Sequence, residues 1–197
     1  LDYGSGNVKS VFNMLNFLGY DPEISNDPDK IKNSTHIILP GVGAFGAAMG
    51  KIMDKIPFDV LEEEVVQKGK PFLGICVGMQ VLADKGMEFR ENKGFGWIPG
   101  IIDKINTKDL PLPHIGWNDV IIKKATPLFN DLADFRDFYF VHSFAYTADN
   151  KNHVIGKTEY GEKFTCMVQK DNIHGIQFHP EKSQKAGQLL LRNFMNI

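Results

Sequence analysis

The stretch Phe72-Leu73-Gly74-Ile75-Cys76-Val77-Gly78-Met79-Gln80 restricts the fold of this chain more than any other. The apolar run after Pro71 predicts a short buried strand, and the residues from Met79 to Ala83 predict the start of a helix. Between them, Gly74-x-Cys76-x-Gly78 has the form of a nucleophile elbow, with cysteine where many hydrolases carry serine. The two glycines suit a sharp strand-to-helix turn, in which backbone approaches backbone too closely for a Cβ. A thiol at that turn stands at a helix N-terminus, where the helix dipole favours the thiolate. The plainer alternative is a buried cysteine in a βα turn.

The bulk of the sequence narrows the setting. A chain of 197 residues that is 43% hydrophobic and 23% charged is expected to form one domain with a full core. Its net charge of −2, without a Lys/Arg block, offers nothing to nucleic acid. No apolar run approaches the roughly 18 residues that a membrane span needs. Two cysteines, Cys76 and Cys166, are too few for a disulfide scaffold, so a reducing cytoplasm is expected. Cys166, in an apolar strand run, is expected to be inert core.

Leu1-Asp2-Tyr3 reads as the end of a strand, and the numbering is expected to begin a few residues inside the native chain. Gly4-Ser5-Gly6-Asn7 then leads into an amphipathic helix (Val8, Val11, Phe12, Leu15, Leu18) closed by Gly19. The third glycine of a dinucleotide fingerprint is replaced by Lys9, which favours ordinary turn chemistry over a cofactor. A buried strand is predicted to end at His36–Leu39, and Pro40-Gly41-Val42-Gly43 follows it. Two glycines around one residue can aim N–H groups outward, as an oxyanion hole requires, although alone they are only a turn. Helices are predicted over 44–56 and after Pro57, with Glu62, Glu63 and Glu64 on a solvated face. The order βα, β, αα, β, α predicts a parallel sheet with helices on both faces.

From Gly94 onward, short β-rich runs at 100–105, 120–123, 138–144, 154–160, 164–170 and 173–178 predict a second half that includes antiparallel strands. Pro113-His114-Ile115-Gly116-Trp117-Asn118 reads as a loop carrying a candidate interface anchor. The last strand enters Gln177-Phe178-His179-Pro180-Glu181-Lys182-Ser183, with Ser183 placed to cap a terminal helix. His179 and Glu181, two apart in an extended segment, share a face. With Cys76 they supply nucleophile, base and orienting carboxylate. The remaining histidines have no metal-ligand spacing, so neither a metal nor another cofactor is expected.

The elbow and the His179-Pro180-Glu181 segment together resemble the class I glutamine amidotransferases. Asp2-Tyr3-Gly4-Ser5-Gly6-Asn7, Pro40–Phe45, Pro113–Asn118, Tyr139-Phe140-Val141-His142-Ser143 and Glu181-Lys182-Ser183 narrow the resemblance to the glutaminase subunits of imidazole glycerol phosphate synthases, over essentially the whole chain. The resemblance implies a flavodoxin-like α/β fold with a parallel or mixed central sheet and extra antiparallel strands in the C-terminal half.

It also implies roles. Cys76 attacks the side-chain amide of L-glutamine to form a glutamyl thioester and release ammonia, with His179 as base and Glu181 orienting it. The backbone N–H of Val77 and one from Val42 or Gly43 hold the oxyanion. Gly41, Gln80, Glu88, Ser143 and Phe144 bind the glutamine. Asn7, Trp117, Asn118 and Lys182 face the partner, a (β/α)8-barrel cyclase that receives ammonia through its interior in histidine biosynthesis. Phe144 departs from the tyrosine often found there, so a hydroxyl contact is lost. A glutaminase weak alone and switched on by its docked, liganded partner is the associated hypothesis, with Gly41–Gly43 as the switch. Two alternatives stay open: a related subunit feeding a sugar-amidating barrel, and a scaffold subunit without activity. A free-standing thiol hydrolase leaves Gln80 and the Trp117-Asn118 pair without a role.

Overall fold

The computed structural model describes residues 1–4, 6–132 and 135–197; Ser5, within the glycine-rich turn discussed above, lies outside them. The centre of the molecule is the elbow strand Phe72–Cys76, every residue of which is buried. It pairs in parallel with Ile37–Gly41 on one side and with Ile173–Ile176 on the other. A strand buried on both faces has no polar side to alternate with, which is why its sequence is a continuous apolar run. Beyond Ile173–Ile176 the sheet turns antiparallel through Glu162–Lys170, then Phe144–Ala148 and Gly100–Lys104. Val154–Tyr160 pairs with both Glu162–Lys170 and Ile121–Ile122. The sheet is therefore mixed, as expected: three strands run parallel at the elbow, and at the far edge Lys85–Gly86 pairs in parallel with Gly100–Lys104.

A separate antiparallel pair joins His114–Asp119 to Asp137–His142. The sequence predicts a loop over 113–118 because Pro113 and Gly116 bracket it. The structure makes it a strand, with His114 buried and Ile115 and Trp117 57% and 45% exposed on the opposite face. Alternation along a half-buried edge overrides the turn residues.

Helices cover both sheet faces. Val8–Phe17 is followed by Gly19 in the left-handed region, and Phe45–Lys55 and Phe58–Glu62 fall where periodicity places them. Of the acidic triplet expected on a solvated face, Glu64 departs from it. The helix widens to a π turn over Glu63–Gln67, and Glu64 is buried against Lys68 at 2.6 Å and Lys70 at 2.9 Å. Hydrogen bonds from Lys68 and then Lys70 hold its carboxyl below the usual range. Glu62 accepts from the Trp97 indole at 3.3 Å. Residues 1–3 form no ladder, although the Leu1 amine donates to the Ile38 carbonyl at 2.8 Å and Tyr3 is fully buried. Among the described residues no helix is long and apolar enough to cross a membrane.

Candidate active site

The elbow is built by contact between three backbone segments. A Cβ on Gly74 falls 2.2 Å from the Gly78 carbonyl oxygen, and one on Gly78 falls 1.9 Å from that of Leu39. Neither position tolerates a side chain, so the turn can pass close to the neighbouring strand only with glycine. Cys76 itself sits at φ 57°, ψ −111°, immediately before the short helix Val77–Gln80. Holding a non-glycine residue there costs about 1–3 kcal/mol, a cost borne at functional positions when the surroundings enforce it.

His179 follows the neighbouring parallel strand Ile173–Ile176. Its N–H donates to the Tyr139 carbonyl at 2.9 Å, and its own carbonyl accepts from the Ser183 hydroxyl at 2.6 Å. Ser183 Oγ also accepts from the Tyr139 N–H at 3.0 Å. Ser183 thus begins the terminal helix Gln184–Met195, but its side chain makes no cap, contrary to the sequence reading. The two bonds that clamp the His179 segment to Tyr139 occupy it.

His179 Nδ1 lies 2.7 Å from Glu181 Oε1, with both side chains buried. The sequence predicts this meeting from an extended segment. The structure achieves it through a 3-10 turn over Pro180–Lys182 that folds Glu181 back under the imidazole. The carboxylate accepts, so Nδ1 carries the proton and Nε2 is left as the basic nitrogen. Nε2 is buried and has no hydrogen-bond partner among the described residues. Burial works against the imidazolium, but the Cys76 thiol and Glu181 outweigh it and raise the His179 pKa to about 9. A base that holds its proton beside a thiol is the arrangement that produces a thiolate.

Two further groups complete the polar environment. Gln177 Nε2 lies 3.7 Å from Cys76 Sγ, and its oxygen accepts from Gln80 Nε2 at 3.1 Å. The motif containing Gln177 stands out in the sequence, but no role for its amide can be read there. Asn7, which the resemblance implies on the partner-facing side, turns its amide onto the His179–Glu181 pair. Its Nδ2 donates to Glu181 Oε1 and lies 3.2 Å from His179 Nδ1. A left-handed backbone at Asn7 (φ 84°) aims it there.

The remaining expected positions divide into two groups. Gly41 pairs in register with Cys76, so Val42 and Gly43 continue from the end of the strand adjoining Cys76. Gly43 has φ 103°, which only glycine adopts freely. Glu88 accepts from the Phe45 N–H at 2.8 Å, at the start of the helix that follows this strip. Gln80 is buried and also donates to the Phe144 carbonyl at 3.3 Å, one residue after Ser143. Away from Cys76, Trp117 meets Tyr139 edge to face at 6.2 Å, and Lys182 Nζ lies 5.6 Å from the Tyr139 ring centre. Asn118 turns inward, donating to the Glu159 carbonyl at 2.9 Å. Cys166 is fully buried, and burial pushes its thiol pKa far upward. Among the described residues, no group of three or more His, Cys, Asp or Glu side chains is placed to hold a metal ion.

Comparison with known proteins agrees with this geometry. The family model "Glutamine amidotransferase class-I" matches residues 1–197. Imidazole glycerol phosphate synthase subunit HisH 2 of Vibrio vulnificus is 46% identical over 198 residues, spanning 100% of this chain and 92% of that protein. Subunit HisH of Pelagibacter ubique is 40% identical over 205 residues, spanning 100% and 98%. Subunit HisH 2 of Methanococcus maripaludis is 42% identical over 196 residues, spanning 99% and 96%. Among solved structures, a glutamine amidotransferase superposes with a TM-score of 0.72 at 16% identity, covering 98% of this chain and 94% of that one. PurLQS from Thermotoga maritima gives 0.72 at 18% identity, covering 100% and 95%. The structural likenesses carry the fold and the sequence relatives carry the kinship: the chain belongs to the class I glutamine amidotransferase family, among the imidazole glycerol phosphate synthase HisH subunits.

Proposed function

We propose that this glutaminase subunit hydrolyses L-glutamine through Cys76, His179 and Glu181, and delivers the ammonia to a (β/α)8-barrel cyclase that makes imidazole glycerol phosphate and AICAR. The observation that carries the reading is the buried His179–Glu181 contact at 2.7 Å beside a cysteine held at φ 57° on a glycine-framed elbow. In this mechanism the thiolate attacks the amide carbon, and the N–H of Val77 with that of Val42 or Gly43 receives the negative charge of the tetrahedral intermediate. His179 Nε2 then gives the thiol's proton to the departing nitrogen, so ammonia leaves and a glutamyl thioester remains. The same nitrogen takes a proton from water as the thioester is hydrolysed, and Glu181 stabilises each imidazolium that forms. Gly41, Gln80, Glu88, Ser143 and Phe144 line the glutamine site in this reading.

A partner belongs in the reading for two reasons. Free ammonia is mostly ammonium at neutral pH and then has no lone pair, so it has to pass through a shielded route. The face carrying Ile115, Trp117, Tyr139 and Lys182 also presents aromatic and apolar surface rimmed by charge, which suits a protein interface. Cys76 and His179 are 4% and 0% exposed, so glutamine enters only when the site opens, and docking of the liganded cyclase supplies that opening. The switch is placed at Gly41–Gly43, where a peptide can rotate at little cost. A reduced thiol fits a cytoplasmic setting.

The test is glutamate release from glutamine by the chain alone, then with the barrel cyclase and its phosphoribosyl ligand. Strong stimulation supports the reading. Activity that this cyclase never stimulates assigns the subunit to a different acceptor barrel.

A further inference from the structure

A hydrogen-bonded line of groups runs from the outer two-stranded sheet to the nucleophile. Asn118 Nδ2 lies 3.2 Å from His114 Nε2, His114 Nδ1 lies 3.0 Å from His142 Nε2, and His142 Nδ1 lies 2.8 Å from the Phe144 carbonyl oxygen. On the far side of that carbonyl, Gln80 Nε2 approaches at 3.3 Å and continues to Gln177 Oε1 at 3.1 Å. Gln177 Nε2 ends the line at Cys76 Sγ, 3.7 Å away.

Each proton in this line has one consistent place. A carbonyl oxygen only accepts, so His142 Nδ1 carries the hydrogen and, in the neutral ring, Nε2 accepts. His114 Nδ1 is then the donor to His142, which leaves His114 Nε2 to accept from the Asn118 amide. The Phe144 carbonyl uses both lone pairs, one toward His142 and one toward Gln80. No donor faces a donor anywhere along the line, and both imidazoles are buried. Their walls are aromatic: His114 lies 4.3 Å from the Tyr160 ring centre and 5.0 Å from that of Phe140, and His142 lies 5.2 Å from that of Phe164. A polar ring among such neighbours is costly unless its hydrogen bonds are made, and these are.

The line crosses a mechanical junction. Asp137–His142 belongs to the two-stranded sheet and Phe144–Ala148 to the large one, with Ser143 between them. His142 pins that crossing by bonding across Ser143 to the next carbonyl.

We infer that His142, aligned by His114 and Asn118, is a positioning residue for glutamine hydrolysis: it fixes the Phe144 carbonyl from which Gln80 and Gln177 are aligned on Cys76. This inference rests on Cys76 being the nucleophile. Because the imidazole acts through its Nδ1–H, replacements sort by where they place a donor. His142→Asn keeps an N–H at the Nδ1 position. His142→Gln carries its amide one bond further out, and His142→Phe has no donor.

The experiment is the kcat/KM for glutamate release by the full chain and these three variants, each with the liganded barrel cyclase. His142→Phe and His142→Gln are expected to fall about tenfold, while His142→Asn stays within about threefold of wild type, the scale of one lost hydrogen bond. A role in packing alone favours the Phe variant over the Asn variant and reverses this order. Three variants that behave alike, all active or all impaired, overturn the inference, as does the reversed order. A wild-type chain that releases no glutamate overturns the reading of Cys76 and this inference with it. Normal wild-type turnover with an unaffected His142→Phe overturns this inference alone.

Discussion

Glu181 Oε1 accepts from His179 Nδ1 at 2.7 Å inside a side-chain environment closed to solvent. The carboxylate therefore decides which imidazole nitrogen is left free to act on Cys76. Glu181→Gln keeps the shape and can present its amide N–H toward Nδ1, which stabilises the wrong tautomer. Its kcat for glutamate release is expected to fall by about two to four orders of magnitude, with the KM for glutamine changed far less. Steady-state kinetics of that variant checks this.

Asn7 donates to the same carboxylate oxygen from the N-terminal loop. Asn7→Ala removes this second point of support and is expected to lower kcat about tenfold. Asn7→Asp sets two carboxylates against one another and is expected to lower it further. Equal kcat values for Asn7→Ala and wild type contradict the contact's role.

How much of this was legible in the sequence depends on how locally each feature is encoded. Gly74 and Gly78 report the elbow directly, because two missing side chains placed two residues either side of a cysteine at a strand-to-helix boundary have few other uses. His179 and Glu181 are two positions apart, so their meeting is a local property, although the 3-10 turn that produces it is not visible in the pattern. Asn7 is 174 positions from Glu181, and only the assembled sheet brings them together. The resemblance implies Asn7 on the partner-facing side and says nothing of the contact with Glu181 that the loop's left-handed backbone makes. The pairing of His114 with His142 depends on the register of two strands, one of which reads as a loop. Glu64 is hidden for a related reason: a π turn shifts it from the wet face onto two lysines.

The buried histidines predict acid sensitivity. Burial lowers the pKa of His114 to about 4, of His142 to about 3 and of His174 to about 4, against an ordinary value of 6.5. Between pH 6.5 and about 4 the unfolded chain binds these protons and the native chain does not, so stability falls as pH falls through that window. Urea midpoints at pH 7.5 and 5.0 are expected to differ in that sense. In the His174→Leu variant, which removes one such group beside Phe194, the difference is expected to shrink.

The elbow glycines predict a contrast between two glycine-to-alanine changes. Gly78→Ala drives a methyl to 1.9 Å from the Leu39 carbonyl oxygen and is expected to cost roughly 3 kcal/mol or more, or to prevent folding. Gly50→Ala lies in the helix Phe45–Lys55, and beyond that helix's own backbone nothing comes within 4 Å of the new Cβ. It is expected to stabilise the protein by about 0.5–1 kcal/mol. Denaturant melts of the two proteins check both signs.

The central claim is that Cys76 forms the covalent bond to the substrate carbonyl. The most direct measurement incubates the chain, together with the proposed liganded barrel cyclase, with an electrophilic diazoketone analogue of glutamine. Intact-mass and peptide mass spectrometry then locate the adduct. The account predicts one adduct per chain, carried by the peptide containing Cys76, suppressed by excess glutamine and matched by loss of glutamate release. Adduct on Cys166, or undiminished glutamate release from a protein fully modified at Cys76, contradicts it.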